Sequence, residues 1–190
     1  FFSFTGLTQA LGTICLLYFT LIILINLYKA FLCILPRNLL TRYGKGSWVI
    51  VTGASDGIGR GFCEEFARGF NIVLIARNLE KLVKVQIELY DVNPKIQTRT
   101  ICADFTKSSE PGFFDKIAKQ LNDIDVSILV NNVGLGDAGP FDKISEEKLK
   151  DMITVNTLPQ AMLTRKLIGS FKTRKNRSAI INVSAMVGAR

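Results

Sequence analysis

The sequence predicts an α/β fold in which a doubly wound parallel sheet follows an N-terminal transmembrane helix. Two observations predict this fold: an apolar opening segment without charge, and short apolar runs that alternate with longer amphipathic stretches from residue 48 onward. Runs rich in Val, Ile and Leu are typical of parallel strands that helices cover on both faces. The stretches between them are long enough to cross over between parallel strands.

The opening segment has the composition of a membrane anchor. Phe1 to Tyr28 contains no charged side chain, and Leu11 to Leu35 is almost entirely apolar, with interruptions at Asn26 and Lys29. A helix of about 20 apolar residues spans the roughly 30 Å hydrocarbon core of a bilayer. The basic residues follow the apolar stretch, whereas a cleaved signal peptide carries them before it. Membrane lipid is therefore an expected partner, and a buried hairpin helix or a monotopic segment is the alternative.

We divide the chain into a transmembrane anchor (1–35), a connector (36–47) and a domain (48–190). Basic residues after the anchor predict a cytosolic location for the domain. The formal net charge is +8, but Lys and Arg cluster only beside the apolar segment and at 172–177. Neither cluster is interleaved with the aromatic residues that single-stranded nucleic acids stack on, so we expect no nucleic-acid partner. Attraction to anionic lipid headgroups is the simpler interpretation.

Histidine is absent, and the four cysteines show no Cys-x-x-Cys spacing. The lack of histidine excludes Ser-His-Asp, Cys-His and histidine-ligated metal mechanisms within this stretch. The cysteine spacing indicates neither a disulfide framework nor a zinc site. We therefore expect no metal.

Five apolar runs are predicted strands: Trp48–Thr52, Asn71–Ala76, Gln97–Cys102, Val126–Val130 and Ala179–Ser184. Four amphipathic stretches are predicted helices: Gly59–Arg68, Leu79–Tyr90, Phe113–Leu121 and Ser145–Phe171. Asn78 and Ser145 are typical N-cap residues. Asn93 and Pro94 predict the end of the second of these helices.

A glycine-rich turn lies between the first predicted strand and the first helix of the domain. Gly53 permits a tight turn, Gly57 lets the backbone approach a pyrophosphate, and Gly59 lets the helix pack closely. The helix N-terminus adds N–H donors and positive potential. The turn therefore predicts a Rossmann fold that binds a dinucleotide. Its expected cofactor-binding residues are Thr52, Gly53, Ser55, Asp56, Gly57, Ile58 and Gly59.

The end of the second strand predicts which dinucleotide binds. An NAD site usually has Asp or Glu there for the ribose 2′-hydroxyl, but this strand is followed by Arg77. A guanidinium suits a 2′-phosphate because it is permanently charged and offers a planar fork of donors. We therefore expect NADP(H). Arg60 and Lys81 are further candidates for the phosphate, with simple solvation of a basic residue at a helix start as the alternative.

The Gly-x-x-x-Gly-x-Gly spacing after Thr52 resembles the short-chain dehydrogenase/reductase family, and further motifs continue the resemblance. Three family motifs have matches in this sequence: the adenine-contacting aspartate matches Asp104, the Asn-Asn-x-Gly signature matches Asn131–Gly134, and the helix asparagine matches Asn156. The resemblance implies that Asn131, Val133 and Gly134 line the cofactor. It also implies that Asn156 holds a water for proton relay.

Within the family, this sequence resembles one branch in three features: Val133, the residue pattern of the glycine turn and the apolar anchor. That branch contains the very-long-chain 3-oxoacyl-CoA reductases and their hydroxysteroid dehydrogenase relatives of the endoplasmic reticulum membrane. The resemblance implies NADPH-dependent reduction of the 3-keto group of long-chain acyl-CoA in fatty acid elongation. A steroid keto-reductase is the alternative. A homodimer or partners in an elongation complex are further expectations.

The sequence departs from the family at the catalytic end. The family has a catalytic Ser at the second of two serines after a strand, followed by Tyr-x-x-x-Lys, which supplies the proton that the carbonyl oxygen needs. Here Ser184 aligns with the first serine and Ala185 with the second, and a shift of one residue would make Ser184 catalytic. No Tyr-x-x-x-Lys occurs in the 190 residues. We expect a C-terminally truncated, inactive domain, with a catalytically silent NADP(H)-binding membrane protein as the alternative for the parent.

Overall fold

The computed structural model describes residues 4–34, 38–137 and 139–184, which form two compact units, Phe1–Asn38 and Leu39–Arg190. The first unit contains helix α1 (Phe4–Ile34). Within α1, Thr8–Leu32 has a mean hydropathy of 2.3 and is not buried. By its length and composition, this helix is a candidate membrane span, as the sequence predicts.

The second unit is built on a five-stranded parallel sheet in the order β3-β2-β1-β4-β5. The strands are β1 (Trp48–Thr52), β2 (Asn71–Ala76), β3 (Thr98–Cys102), β4 (Val126–Asn131) and β5 (Ala179–Asn182). The helices are α2 (Leu39–Tyr43), α3 (Gly57–Phe66), α4 (Leu79–Val92), α5 (Phe113–Lys119) and α6 (Glu146–Thr173). This arrangement confirms the doubly wound parallel sheet that the sequence predicts.

Alternating side chains of the buried strands pack against helices on the two faces of the sheet. Trp48 and Ile50 of β1 face the layer that α5 and α6 form, where Leu163 is buried. Val49 and Val51 face the opposite layer, which α3 and α4 form. Every residue of β1 is buried, and this burial explains why the strand is a continuous apolar run rather than an alternating one.

Several helix ends follow local capping rules. Asn78 Oδ1 accepts a hydrogen bond of 2.9 Å from the N–H of Lys81, and Ser145 Oγ caps α6 in the same way. Asn93 ends α4, as predicted. Helix α3 begins at Gly57 rather than at the predicted Gly59, because Asp56 caps it by accepting a hydrogen bond from Gly57 N.

The last strand ends two residues before the predicted Ser184. Asn182 pairs with Asn131, the final residue of β4, and Val183 N donates to Asn131 O. Beyond Asn131 the chain leaves the sheet, so β5 has no ladder partner there. The prediction of a strand through Ser184 was therefore wrong by two residues.

Candidate functional site

A crevice lies at the carboxyl ends of the central strands. The chain runs from β1 to β2 and β3 on one side of β1 and returns to β4 on the other. Such a reversal leaves a ligand crevice outside the strand ends. The crevice is a cavity of about 300 Å³. Its lining comes from the segments after four strands and from α6: Gly53, Ser55, Asp56, Ala76, Arg77, Ala103, Asp104, Phe105, Thr106, Asn132, Val133, Gly134, Leu135 and Val155.

The glycine turn between β1 and α3 forms the floor of this crevice. Gly53 and Gly57 have left-handed backbones with φ of 65° and 53°, a conformation that glycine adopts at low cost. At Gly59, an added Cβ would lie 2.2 Å from Gly53 O and 2.5 Å from Asn132 Nδ2. Helix α3 therefore packs directly on the turn. Ile58, between these glycines, is exposed.

Thr52 connects the turn to the loop after β4. Its buried hydroxyl donates to Val130 O at 3.2 Å and accepts from the N–H groups of Asn132 and Val133 at 2.9 and 3.0 Å. In the other direction, Asn132 Nδ2 donates to the carbonyl oxygens of Thr52 and Gly53 at 3.0 and 3.3 Å. The two loops that border the crevice are thus joined by four hydrogen bonds. Sequence reasoning did not select Asn132, although it stands inside the Asn-Asn-x-Gly signature.

Asp56 and Asp104 both line the crevice, and both carboxylates make local contacts. Asp56 caps α3, and its carboxylate lies 3.7 Å from Lys81 Nζ. Asp104 Oδ1 accepts from the N–H and hydroxyl of Thr106 at 3.1 and 3.0 Å. The Asp-x-Thr spacing is the sequence signal that identifies Thr106, which sequence reasoning missed.

Arg77 is the one of three candidate phosphate cations that has no acidic partner within 4 Å in the described chain. Arg60 pairs with Glu64 at 2.9 Å and Glu88 at 3.1 Å, and the hydrogen bond to Glu64 raises the pKa of Arg60. Lys81 pairs with Asp56. Arg77 is exposed and lines the crevice. Its charge is therefore available to an anionic ligand.

Seven predicted site residues lie outside the crevice lining: Thr52, Gly57, Ile58 and Gly59 around the glycine turn, and Asn131, Asn156 and Ser184 elsewhere. Asn131 is buried beside it and donates from Nδ2 to Asn182 Oδ1 at 2.9 Å. Asn156 lies on α6, where its side chain accepts from Leu135 N at 2.9 Å and donates to Leu135 O at 2.8 Å. Ser184 is exposed after β5, and Ala185 lies outside the described residues.

A family model for short chain dehydrogenases matches residues 47–190. The chain belongs to the short-chain dehydrogenase family. The match covers the whole sheet and every predicted site residue, so it confirms the resemblance drawn from the motifs.

Relatives and solved structures support this assignment. A Coccidioides immitis protein named very-long-chain 3-oxoacyl-CoA reductase is 38% identical over 159 residues, which are 82% of this chain and 45% of that protein. A Caenorhabditis elegans protein named very-long-chain 3-oxoacyl-CoA reductase let-767 is 34% identical over 90% of this chain and 55% of its own length. The chain thus spans about half the length of the curated relatives it matches.

Among solved structures, a 7β-hydroxysteroid dehydrogenase superposes with a TM-score of 0.70 at 29% identity, covering 80% of this chain and 58% of that one. A short-chain dehydrogenase from Sphingobium yanoikuyae in complex with NADPH has a TM-score of 0.63 at 30% identity, covering 75% and 55%.

Replacement of Thr52 by Val is expected to destabilise the domain more than replacement by Ser. Val removes the hydroxyl and leaves the N–H groups of Asn132 and Val133 without their acceptor, which costs about 2 to 3 kcal/mol. Ser keeps the hydroxyl and loses one buried methyl group, which costs about 1 kcal/mol. Denaturant unfolding in detergent micelles measures both changes, and equal losses for the two variants would contradict this role of the hydroxyl.

Gly59 and Gly61 of α3 provide a matched pair for the close packing. Gly59→Ala is expected to lower the free energy of unfolding by about 2 kcal/mol, because the new methyl group overlaps Gly53 O. Gly61→Ala meets nothing within 4 Å and is expected to stabilise the helix by up to about 1 kcal/mol. Thermal unfolding followed by circular dichroism compares them. A Gly59→Ala variant as stable as Gly61→Ala would refute the contact.

Proposed function

We propose that this chain is the cofactor-binding part of an NADPH-dependent reductase of the 3-keto group of long-chain acyl-CoA in fatty acid elongation. The observation that carries the proposal is the 34% to 38% identity, over 82% to 90% of this chain, to proteins named very-long-chain 3-oxoacyl-CoA reductase. The crevice and the apolar helix are consistent with that chemistry, because the substrate is anionic at one end and apolar at the other.

The crevice fits a dinucleotide. A pyrophosphate would rest on the glycine turn, where Gly53 lines the crevice and Gly59 lets α3 pack against the turn. The N-terminus of α3 supplies positive potential there. Ser55 and Asp56 line this part of the crevice, and Gly57 and Ile58 follow them at the start of α3. Asp104 would contact the adenine, and Val133 and Gly134 would line the nicotinamide half. Thr52 and Asn131 support these residues from within the sheet.

The proposed preference for NADP(H) rests on Arg77. No acidic side chain stands at this position to bind a 2′-hydroxyl, and within the described residues the guanidinium has no acidic partner within 4 Å. A 2′-phosphate would therefore gain a charge-assisted hydrogen bond. The related NADPH complex of the Sphingobium yanoikuyae enzyme supports the same choice.

When bound, the nicotinamide supplies a hydride to the carbonyl carbon. The chain's own residues then orient the substrate and manage the proton that the carbonyl oxygen takes up. Ser184 would donate a hydrogen bond to that oxygen from the end of β5. Asn156 would hold the Leu135 segment beside the crevice, and by resemblance it would keep the relay water.

We further propose that α1 anchors the chain in the endoplasmic reticulum membrane with the domain in the cytosol. A long-chain acyl group partitions into the bilayer, so an anchored reductase meets its substrate there. A homodimer, or partners from the same elongation pathway, would fit this location. A steroid keto-reductase is the second candidate function, which the similarity to 7β-hydroxysteroid dehydrogenase favours.

Arg77→Asp is expected to reverse the cofactor preference. Loss of the guanidinium and gain of a carboxylate should lower the NADPH-to-NADH affinity ratio by about tenfold to a hundredfold. Arg165→Asp makes the same charge change at an exposed position of α6 and is expected to leave the ratio unchanged. Isothermal titration of the detergent-solubilised chain gives both affinities. An unchanged ratio for Arg77→Asp would refute the phosphate contact.

Turnover tests the proposed reaction itself. A protein of these 190 residues is expected to bind NADPH without oxidising it, because no Tyr-x-x-x-Lys proton donor lies within them. A longer chain that continues through such a motif is expected to oxidise NADPH with a long-chain 3-oxoacyl-CoA. Absorbance of NADPH follows the reaction, with a keto-steroid as the comparison substrate. Turnover of the keto-steroid alone would favour the second candidate, and turnover by the 190-residue protein would contradict the first expectation.

A further inference from the structure

Two basic segments that are far apart in the sequence meet at the N-terminal edge of the sheet, opposite the crevice. One segment comprises the end of α2 and the turn before β1, and the other joins α6 to β5. Apart from Arg174, these segments and the last turn of α6 contain five basic residues, which we call the basic edge: Arg42, Lys45, Lys172, Lys175 and Arg177. All are exposed except Arg42, which is partly buried.

Hydrogen bonds hold the two segments together. Arg177 N donates to Arg42 O at 3.2 Å, and Arg174 Nη2 donates to Tyr43 O at 2.7 Å. The Arg174 side chain is only 7% exposed, and it binds the Asp125 carboxylate with two hydrogen bonds of 2.6 and 2.8 Å. The charge of Arg174 is thus neutralised by Asp125 where the two segments meet. Its role is to fix the segments, while the five residues of the basic edge remain around it.

The basic edge carries uncompensated positive charge. None of its five residues lies within 4 Å of an Asp or Glu carboxylate in the described chain. The nearby acids are already paired, Asp125 with Arg174 and Asp123 with Arg99. By contrast, Lys143 and Lys150 at the crevice end of the domain each pair with a neighbouring acid. The basic edge therefore groups five cations without acidic partners in the described chain at one end of the strands.

We propose that the basic edge binds the anionic headgroups of a lipid bilayer. Arg42 follows Leu32, the last residue of the candidate span, by ten residues, so chain length alone keeps it within roughly 35 Å of that residue. Several clustered cations close to a membrane are attracted by anionic lipid, each strengthening binding about fivefold. Single-stranded RNA binding uses exposed aromatic rings on which bases stack. The Tyr43 ring beside the basic edge is partly buried, and the Arg42 guanidinium carbon lies over it at 5.8 Å from the ring centroid.

The position of the basic edge has a functional consequence that is independent of the proposed reaction. Lipid contact at the N-terminal ends of the strands leaves the crevice at their C-terminal ends open to a nucleotide. Loss of the lipid contact and loss of NADPH binding are therefore separable.

The single tryptophan reports on this contact. Trp48 begins β1 at the same edge, and its N–H donates to Asp125 O at 2.8 Å. The full chain is reconstituted in vesicles of phosphatidylcholine alone or with phosphatidylserine, each containing dansyl-labelled headgroups. Energy transfer from Trp48 to dansyl is expected to rise with phosphatidylserine. The rise should vanish in about 1 M salt, where the Debye length is about 3 Å.

Two charge-matched variants test the assignment. Replacement of Lys45, Lys172, Lys175 and Arg177 by Gln is expected to abolish the rise while NADPH binding persists. Replacement of Lys84, Lys107, Lys143 and Lys150 by Gln, all exposed and away from this edge, is expected to preserve it. Transfer that does not respond to phosphatidylserine would overturn the proposal, as would equal responses of the two variants. Energy transfer that phosphatidylserine does not change, but that poly-uridine RNA lowers in the wild type and not in the basic-edge variant, would assign the basic edge to nucleic acid instead.

Discussion

The close contact of helix α3 with the turn after β1 is the constraint on which the rest of the domain depends. Gly59 packs on Gly53 O with no room for a side chain, and Asn132 Nδ2 donates to that same oxygen. The contact sets how near the helix N-terminus lies to the crevice floor. It also connects the β1 side of the crevice to the β4 side, so the turn and the loop after β4 form a single surface.

Thr52 makes that surface rigid from below. The buried hydroxyl donates one hydrogen bond and accepts two, which uses its full hydrogen-bonding capacity. Removal of any of these groups leaves a buried polar group without a hydrogen-bond partner. The sequence therefore needs Thr at this position for a structural reason. The same arrangement leaves the crevice wall to residues with free functional groups, of which Arg77 is the clearest.

Local rules account for most of what could be predicted from the sequence. The strands are buried apolar runs, and Asn78 and Ser145 cap helices through hydrogen bonds to residues three positions later. The glycine turn is predictable because only glycine adopts positive φ at low cost and leaves room for close packing. The interactions that could not be predicted are those between distant segments. Asn156 binds Leu135 across 21 residues, and nothing in either neighbourhood indicates that both ends of its amide are engaged.

The ends of helices and strands also depend on contacts that the local sequence does not determine. The start of α3 at Gly57 depends on whether Asp56 turns its carboxylate to the helix, and the end of β5 depends on where β4 stops. Arg174 is a further example, because its sequence neighbours indicate a solvated basic cluster, whereas the fold buries it against Asp125 and Tyr43. The two ends of the strands consequently differ, with the crevice at one end and the basic edge at the other.

Hydrogen–deuterium exchange of the detergent-solubilised chain, with and without saturating NADPH, tests the central claim most directly. The account predicts slower exchange of the amides of residues 53–60 when NADPH is bound, while residues 172–177 at the opposite edge exchange at an unchanged rate. Binding of NADPH without protection of the glycine turn would contradict it.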